Sequence, residues 1–268
     1  MIDIYILAGI IGLILGSFAN VVIYRLPKGE SPIKPLLSYC PNCGNKIPAI
    51  DNIPVLSFIA LKGKCRKCEN PISWRYPIIE LALSLECILI LWKLDTTGAL
   101  GLVQVIAFVS FAFILTVITA IDFDTYTIPD IFSLGLLTGM LVFSPWNPLL
   151  GSTVTSRIIS SLAGTLAGGA IFFLFAFIGE KIYKKEAMGG GDVKLAAAIG
   201  ASLGVSSLYP TILISSAFGI LYALPMLISG KLNRQDPIAY GPFLAIAAFL
   251  VFLAKGKIEL FPIFIKNY

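Results

Sequence analysis

Long apolar runs separated by short polar segments are the feature that most constrains the fold of this 268-residue chain. With 57% hydrophobic residues, only 13% charged residues and a mean hydropathy of +0.89, a soluble domain could not bury so much apolar surface. A helix of roughly 20 residues crosses the hydrocarbon core of a bilayer. We therefore predict an all-α polytopic membrane protein with about eight transmembrane helices. The spans lie near 4–24, 76–94, 101–121, 130–146, 157–179, 193–209, 211–229 and 238–254.

The segment 25–75 differs in composition from the rest of the chain and separates the first two spans. Its nine basic residues are Arg25, Lys28, Lys34, Lys46, Lys62, Lys64, Arg66, Lys67 and Arg75. The positive-inside rule places this segment in the cytoplasm, and the segments 180–194 and 230–236 then also lie inside. Five of the 20 basic residues are left outside: Lys93, Arg157, Lys255, Lys257 and Lys266. The net charge of +5 is thus explained by topology and is no sign of nucleic-acid binding.

The absence of histidine narrows the chemistry that the chain can carry. It excludes Ser-His-Asp and Cys-His nucleophile systems and the His-Glu-x-x-His metalloproteases. Two carboxylates are better candidates, because Asp122 ends the third span and Asp192 opens the sixth. The predicted orientation places both at the cytoplasmic face. Two carboxylates brought together share one proton and activate water, which is the chemistry of aspartic proteases.

Each aspartate also has a structural explanation or a competitor. Asp192 follows three glycines at a helix start, where aspartate is favoured as a cap. Asp122 ends a helix, where the helix dipole disfavours a negative charge, so capping does not explain it. Asp124 and Asp130 lie nearby, and Asp130 is better explained as a charge at the next helix start. Spacing alone does not choose between Asp122 and Asp124.

Two Cys-x-x-Cys pairs in the cytoplasmic segment predict a metal site. Cys40 and Cys43 form one pair, Cys65 and Cys68 form the other, and two such turns offer four thiolates to one tetrahedral zinc ion. A closed four-cysteine site has no open position for water, so we expect zinc to be structural. The alternative is a pair of redox disulfides or ordinary thiols, which a reducing cytoplasm disfavours.

Several polar residues lie in or beside the first two predicted spans. Glu80 and Glu86 lie within the second span, where a glutamate either has a functional role or makes a hydrogen bond between helices. Asn20 and Arg25 end the first span, and snorkelling toward the interface is the simplest account of Arg25. Both explanations remain open for Glu80.

The chain resembles the bifunctional type IV prepilin peptidases, which are leader peptidase/N-methyltransferases of pilus, type II secretion and competence systems. The matching motifs follow one another in order along nearly the whole chain. They are Gly16-Ser-Phe-Ala-Asn-Val-Val-Ile-Tyr-Arg-Leu-Pro27, the two Cys-x-x-Cys pairs around Asp51-Asn-Ile-Pro54, Arg75-Tyr-Pro-Ile-Ile-Glu80, Ile121-Asp-Phe-Asp-Thr-Tyr-Thr-Ile-Pro-Asp130, Gly189-Gly-Gly-Asp-Val-Lys194 and Tyr240-Gly-Pro-Phe-Leu-Ala245.

The resemblance implies a division of labour along the chain. It implies catalytic aspartates at Asp122 and Asp192, within a peptidase domain at 101–268, and it selects Asp122 over Asp124. It implies methyl transfer from S-adenosylmethionine by the region 1–100, with prepilins or pseudopilins as substrates in the bacterial inner membrane. The chain offers no recognisable methyl-donor loop. From their position at the cytoplasmic ends of the first two spans, Glu80, Asn20 and Arg25 are the candidate methyl-transfer residues.

Two alternatives to this function remain. The chain could be a peptidase without methyl transfer, or a proton-coupled transporter that uses the carboxylates as a relay. A transporter should show paired broken helices near the bilayer midplane, often in repeats. Here both acids lie at one face, no repeat is evident, and transport leaves the four-cysteine segment unexplained.

Overall fold

A computed structural model of the chain describes residues 2–35, 37–184, 188–233 and 236–255. These residues form α-helices joined by turns and short 3-10 segments, and they contain no β-strand beyond two isolated bridges. The helices are α1 (Ile2–Arg25), α2 (Leu56–Ala60), α3 (Arg75–Thr96), α4 (Leu102–Thr125), α5 (Asp130–Phe143), α6 (Val154–Tyr183), α7 (Gly190–Leu203), α8 (Leu208–Ile228) and α9 (Gly241–Ala254). The basic residues Lys185, Arg234, Lys257 and Lys266, which count toward the predicted orientation, lie outside these ranges.

Every predicted span overlaps one of the helices, with small differences at the ends. Only the short α2 has no counterpart among the predicted spans. By length and apolar composition, α1, α4, α6 and α8 are candidates to cross a membrane, whereas α5 and α9 are apolar but shorter. The all-α class and the membrane-protein class are therefore confirmed. The count of eight transmembrane helices stays a prediction.

The predicted sixth span, 193–209, runs past the end of the helix it describes. Helix α7 stops at Leu203, because Gly204 adopts a φ of 77°, a left-handed conformation that ends an α-helix. A short 3-10 turn then leads into α8. At 1.5 Å per residue, α7 rises about 21 Å, which is less than the ~30 Å hydrocarbon core. Hydropathy could not locate this break because the apolar pattern continues through the glycine.

Internal contacts divide the chain into two units. The first comprises Met1–Thr96 with Phe108–Val117, and the second comprises Thr97–Ala107 with Ile118–Tyr268. Helix α4 thus contributes its middle to the first unit and its two ends to the second. Each unit contains a pair of helices whose backbones approach closely at glycines.

In the first unit, α1 and α3 pack antiparallel with their backbones in contact. A Cβ atom on either Gly12 or Gly16 would lie 2.5 Å from the α3 backbone, and for Gly16 the clashing atom is the Glu80 Cα. Near the other end of the pair, the Tyr5 hydroxyl donates to the Asp95 carboxylate over 3.0 Å. The Gly-x-x-x-Gly spacing is typical of such close helix contacts, and it fixes the height of Glu80 against α1.

Except for Asp95, which is exposed near the end of the helix, the ionisable side chains of α3 are buried or partly buried. Glu80 and Lys93 are buried. Glu86 accepts hydrogen bonds from the Thr116 hydroxyl at 2.9 and 3.2 Å, which is the interhelical role considered for it. The exposed large side chains of the helix are apolar: Ile78, Leu81, Leu85 and Trp92. Helix α3 contains too many charged residues to be counted with α1, α4, α6 and α8 as a candidate span. Its exposed face is nevertheless apolar enough to contact lipid.

In the second unit, α6 and α7 meet through small residues. A Cβ atom on Gly164 would collide with the Gly200 carbonyl group, and one on Gly168 would collide with the Ala196 carbonyl group. At the neighbouring Gly169, a Cβ atom would make only an ordinary contact at 3.6 Å. The contact seats α7, and with it Asp192, against α6.

We predict that Gly164→Ala destabilises the second unit, because the added methyl group meets backbone that cannot move aside. Overpacking of this kind costs roughly 1–3 kcal/mol. Gly139→Ala is the matched control, since nothing lies within 4 Å of its Cβ position and alanine favours a helix over glycine by about 1 kcal/mol. Thermal unfolding in detergent should show a lower Tm for Gly164→Ala alone. Equal Tm values for the two variants would contradict the close contact.

Candidate active site and metal centre

Asp122 lies in the last turn of α4 and is 4% exposed. One carboxylate oxygen, Oδ2, accepts a hydrogen bond from the backbone N–H of Gly241 over 3.1 Å. Gly241 is the first residue of α9, where backbone N–H groups have no partner within the helix. The start of α9 therefore supplies a donor to a carboxylate that would otherwise be buried without one.

Only glycine fits at position 241. A Cβ atom there would lie 2.6 Å from the Asp122 Oδ2 and 2.9 Å from a methyl carbon of Ile128. The neighbouring Tyr240 holds the segment in place, because its hydroxyl lies 2.6 Å from the Ser215 hydroxyl. The sequence signal for this contact was the Tyr-Gly-Pro start of an apolar run, which sequence reasoning matched to a motif without assigning it a role.

Asp192 lies in the first turn of α7. The cap position is Gly189, so Asp192 is the third residue of the helix, and its carboxylate interacts with the backbone N–H of Gly189. Among the described residues, its buried Oδ1 atom has no hydrogen-bond partner. The adjacent Gly191 packs against Ile128, since a Cβ atom at that position would lie 2.8 Å from the Ile128 Cβ. Asp192 therefore does not occupy the cap position itself, and one of its oxygens remains available.

The two aspartates belong to the same corner of the second unit. Ile128 contacts both Gly241, the partner of Asp122, and Gly191, the neighbour of Asp192. The Asp122 charge is close enough to act electrostatically on Asp192. This arrangement brings two carboxylates to a single place, where a backbone N–H group faces each: Gly241 for Asp122 and Gly189 for Asp192.

The competing acids are placed differently. Asp124 is exposed, whereas Asp122 is buried. Asp130 is also exposed and is the first residue of α5. Its carboxylate forms an ion pair with the Lys194 ammonium group over 2.6 Å. Burial thus separates Asp122 from both neighbours, and the Lys194 contact joins the start of α5 to the start of α7.

The four predicted metal ligands converge in the first unit. The Sγ atoms of Cys40, Cys43, Cys65 and Cys68 all lie within 4.8 Å of one another, and those of Cys40 and Cys68 are 3.9 Å apart. Tetrahedral zinc with Zn–S bonds of ~2.3 Å places its sulfurs about 3.8 Å apart. The thiols are not joined as disulfides. The donor set therefore fits one four-coordinate metal ion.

The two Cys-x-x-Cys turns have the same backbone structure. The Cys40 N–H donates to the Asn45 carbonyl group over 2.9 Å, and the Cys65 N–H donates to the Asn70 carbonyl group over 2.9 Å. The residue after each second cysteine has a positive φ, 69° at Gly44 and 57° at Glu69. This repeated turn presents both cysteines of each pair on one side.

Local hydrogen-bond donors favour the thiolate form of one cysteine in the second pair. The N–H groups of Cys68 and Lys67 lower the pKa of Cys65 to about 6, which favours the thiolate form that binds metal. The second turn is also tied to the preceding segment, because Arg66 donates two hydrogen bonds to Asp51 at 2.6 and 2.7 Å. These hydrogen bonds lower the pKa of Asp51 and keep the ion pair formed.

A cavity of about 550 Å³ in the first unit is lined by all three candidate methyl-transfer residues, Asn20, Arg25 and Glu80. The volume is in the usual range of small-molecule sites, roughly 300–1,000 Å³. Asn20 is 2% exposed and donates through Nδ2 to the Tyr76 carbonyl group over 3.1 Å. Among the residues that the structure describes, its Oδ1 atom has no partner, so a buried acceptor remains available.

Glu80 is held by an unusual turn at the cavity wall. Its Oε2 atom accepts a hydrogen bond from the Val55 N–H over 2.7 Å. Val55 has φ 60° and ψ −47°, and the Leu56 N–H donates back to the Pro54 carbonyl group over 2.6 Å. This is a γ-turn with positive φ at a β-branched residue, a strained conformation that costs roughly 1–3 kcal/mol. Sequence reasoning did not find Val55, because nothing in the residue type signals a positive φ.

Arg25 has a different environment from the one expected. It is 3% exposed, so it does not snorkel into water. Its guanidinium donates to backbone carbonyl groups of the following loop, at 2.8 Å to Pro35 and 3.2 Å to Leu37. It also lies 5.4 Å from the centre of the Tyr39 ring. Arg25 therefore organises the loop that leads into the first cysteine pair.

Comparison with known proteins identifies the family. Residues 10–94 match the model described as the bacterial peptidase A24 N-terminal domain, and residues 109–224 match the type IV leader peptidase family. No solved structure matches the chain.

Three curated relatives carry the name prepilin leader peptidase/N-methyltransferase. The protein from Aeromonas hydrophila is 34% identical, with 90% of this chain and 87% of the relative covered. The protein from Dickeya chrysanthemi is 35% identical, with coverages of 89% and 88%. The protein from Neisseria gonorrhoeae is 34% identical, with coverages of 94% and 91%. The chain therefore belongs to the type IV leader peptidase family.

Proposed function

We propose that this protein cleaves the basic leader from type IV prepilins or pseudopilins after a glycine, and then N-methylates the new amino terminus. Family membership and the relatives' shared name support both activities. The observation that carries the peptidase is the meeting of Asp122 and Asp192 beside Ile128 in the second unit. The neighbouring acids that the structure describes, Asp124 and Asp130, are both exposed.

The surroundings of the two carboxylates support different roles for them. The Gly241 N–H stabilises the ionised form of Asp122, so we assign Asp122 as the base that takes a proton from water. Asp192 has a buried oxygen without a donor, and we assign it the shared proton, which it donates to the scissile carbonyl oxygen. The water oxygen bonds to the carbonyl carbon. As the C–N bond breaks, the leaving amine takes the proton from Asp122. One hydroxyl group of the tetrahedral intermediate returns its proton to Asp192 as the carbonyl group of the product re-forms.

We place the protein in the bacterial inner membrane, with segment 25–75 and both aspartates at the cytoplasmic face. The distribution of basic residues supports this orientation. The exposed side chains Trp74 and Trp92 support α3 as a span, because Trp74 directly precedes the helix and Trp92 lies near its other end. The 17 residues from Arg75 to Trp92 rise by about 26 Å, so each indole lies near one membrane interface.

We assign zinc to the four-cysteine cluster, with a structural role. The ion would be held by Cys40, Cys43, Cys65 and Cys68, whose spacing fits its tetrahedral preference. It would clamp two identical turns and thereby fix the segment that carries Asp51 and Val55. Through Val55 this segment reaches Glu80, so the metal supports the cavity and takes no part in peptide hydrolysis.

We assign methyl transfer to the cavity lined by Asn20 and Glu80. S-adenosylmethionine would supply an electrophilic methyl group there. The protein's own task is to prepare the pilin amine, since only a neutral amine is nucleophilic. Glu80, positioned by the Val55 N–H, would remove a proton from the ammonium group, and Asn20 Oδ1 would accept a remaining N–H. Arg25 would act as a positioning residue through its loop contacts.

We predict that Asp122→Asn and Asp192→Asn each abolish cleavage of a prepilin by the purified protein, since both proton transfers are needed. The loss should reach at least ~10²–10⁴-fold, the usual contribution of general acid–base catalysis. Asp124→Asn is the control, because it removes an exposed carboxylate two residues away. Wild-type cleavage by either dyad variant would contradict the assignment. A larger loss of cleavage in Asp124→Asn than in Asp122→Asn would show that Asp124, and not Asp122, is the catalytic carboxylate.

Elemental analysis of the purified protein should find about one zinc ion per chain, because four thiolates bind one ion. Substituting Cys40 or Cys65 by serine should release it, whereas Cys87→Ser should not, since Cys87 lies outside the cluster. Zinc loss should impair methylation more than cleavage. Metal-free protein with intact disulfides would contradict the site.

Glu80→Gln should reduce methylation of the processed pilin by roughly 10²-fold or more while sparing cleavage, because glutamine cannot accept the proton. Glu86→Gln is the matched control, as it removes another glutamate from α3 whose partner is Thr116. Mass spectrometry of the product separates the two activities. Full methylation of the pilin by the Glu80→Gln variant would show that Glu80 is not the base that deprotonates the amine. An unmethylated product from the wild type, with methyl donor present, would leave a peptidase alone.

A further inference from the structure

The short helix α2 and the residue before α3 expose large apolar side chains in the segment that sequence composition places outside the membrane. Leu56 is 64% exposed, Ile59 is 65% exposed and Trp74 is 71% exposed. Leu56 and Ile59 are three positions apart and therefore lie on one face of α2. Phe58 of the same helix contacts Trp74, with ring centres 4.8 Å apart and the ring planes tilted by 58°. We call Leu56, Ile59 and Trp74 the interfacial patch.

The height of this patch along α3 is fixed by a hydrogen bond. Val55, which directly precedes α2, donates its N–H to Glu80. Glu80 lies five residues into α3, about 7.5 Å from the helix start. Trp74 immediately precedes that start. The patch therefore lies level with the first turns of α3, where a spanning helix passes through the headgroup region and indole rings are favoured.

The charge around the patch matches one kind of partner. Segment 25–75 carries nine basic side chains against the acids Glu30, Asp51 and Glu69. Two of the basic residues, Lys62 and Lys64, follow α2 directly and are exposed. Apolar side chains beside lysines and a tryptophan are the composition of segments that lie in the interface of an anionic bilayer.

We propose that the interfacial patch inserts into the boundary between headgroups and acyl chains of an anionic bilayer, with Lys62 and Lys64 on the lipid phosphates. Helix α2 has five residues and is far too short to span, so it lies on the membrane. The proposal rests on α3 crossing the bilayer. Its consequence is that lipid holds Val55, and through it Glu80, at the membrane surface, where a freshly processed pilin terminus emerges.

Tryptophan fluorescence in nanodiscs tests this placement. The chain has three tryptophans, Trp74, Trp92 and Trp146, which can be replaced to leave one fluorescent probe at a time. Three single-tryptophan proteins are compared. One keeps Trp74, and the matched control keeps Trp92, at the other end of α3. The third carries Ile59→Trp with Trp74, Trp92 and Trp146 replaced by phenylalanine. Each is measured with phospholipids brominated near the headgroup end of the chains, and with aqueous acrylamide.

We expect the brominated lipid to quench Trp74, Trp92 and the Ile59→Trp probe, each at least about twofold more strongly than acrylamide does. Failure of the Trp92 control would show that α3 does not span, which removes the basis of the proposal. Quenching of Trp92 and Trp74 with an acrylamide-accessible Ile59→Trp probe would overturn the placement of α2 itself. Protection of that probe only after pilin is added would assign the patch to a protein partner instead.

The anionic character is tested with the same Ile59→Trp probe. Phosphatidylglycerol nanodiscs should shield it from acrylamide better than phosphatidylcholine nanodiscs, because the lysines face lipid phosphates. Replacing Lys62 and Lys64 together by glutamine should abolish that difference. An equal response in both lipids for the protein with both lysines would overturn the assignment to anionic lipid.

Discussion

Gly241 donates its backbone N–H to the buried Asp122 carboxylate across 3.1 Å, and the second unit is arranged around that approach. A carboxylate in an apolar environment is costly unless a donor meets it. Here the donor is the free amide of a helix start, and it reaches Asp122 only because residue 241 has no side chain. Ile128 fills the space beside it and contacts the glycine that precedes Asp192. Both acids thereby share one corner.

In the first unit, glycines also allow backbones to approach closely, and the result is a cavity. Gly12 and Gly16 let α1 and α3 touch backbone to backbone, which brings Asn20 and Glu80 to one cavity. The wall opposite is the strained turn at Val55, whose N–H meets Glu80. A strained β-branched residue persists only where its surroundings hold it, and the four-cysteine cluster lies in the same segment. The four-cysteine cluster, the turn and the Glu80 carboxylate are thus connected through one segment of the chain.

Hydropathy located the helices because lipid imposes an apolar run on every span. The number of predicted spans between Asp122 and Asp192 predicts that both lie at one face of the membrane. The cysteine spacing predicted the convergence of four thiols, since a Cys-x-x-Cys turn leaves few other geometries. The break at Gly204 was missed because apolarity continues through it. Gly241 and Val55 were missed as partners, because backbone N–H groups carry no residue-type signal. The choice between Asp122 and Asp124 needed burial or family resemblance.

We propose that cleavage and methylation occupy separate sites in one chain. The decisive experiment gives already processed, unmethylated pilin and S-adenosylmethionine to a protein that carries both Asp122→Asn and Asp192→Asn. Mass spectrometry then follows the amino terminus. We expect methylation at a rate close to that of the unsubstituted protein, because Asn20 and Glu80 are untouched. Loss of methylation in a folded, zinc-loaded double variant would contradict it.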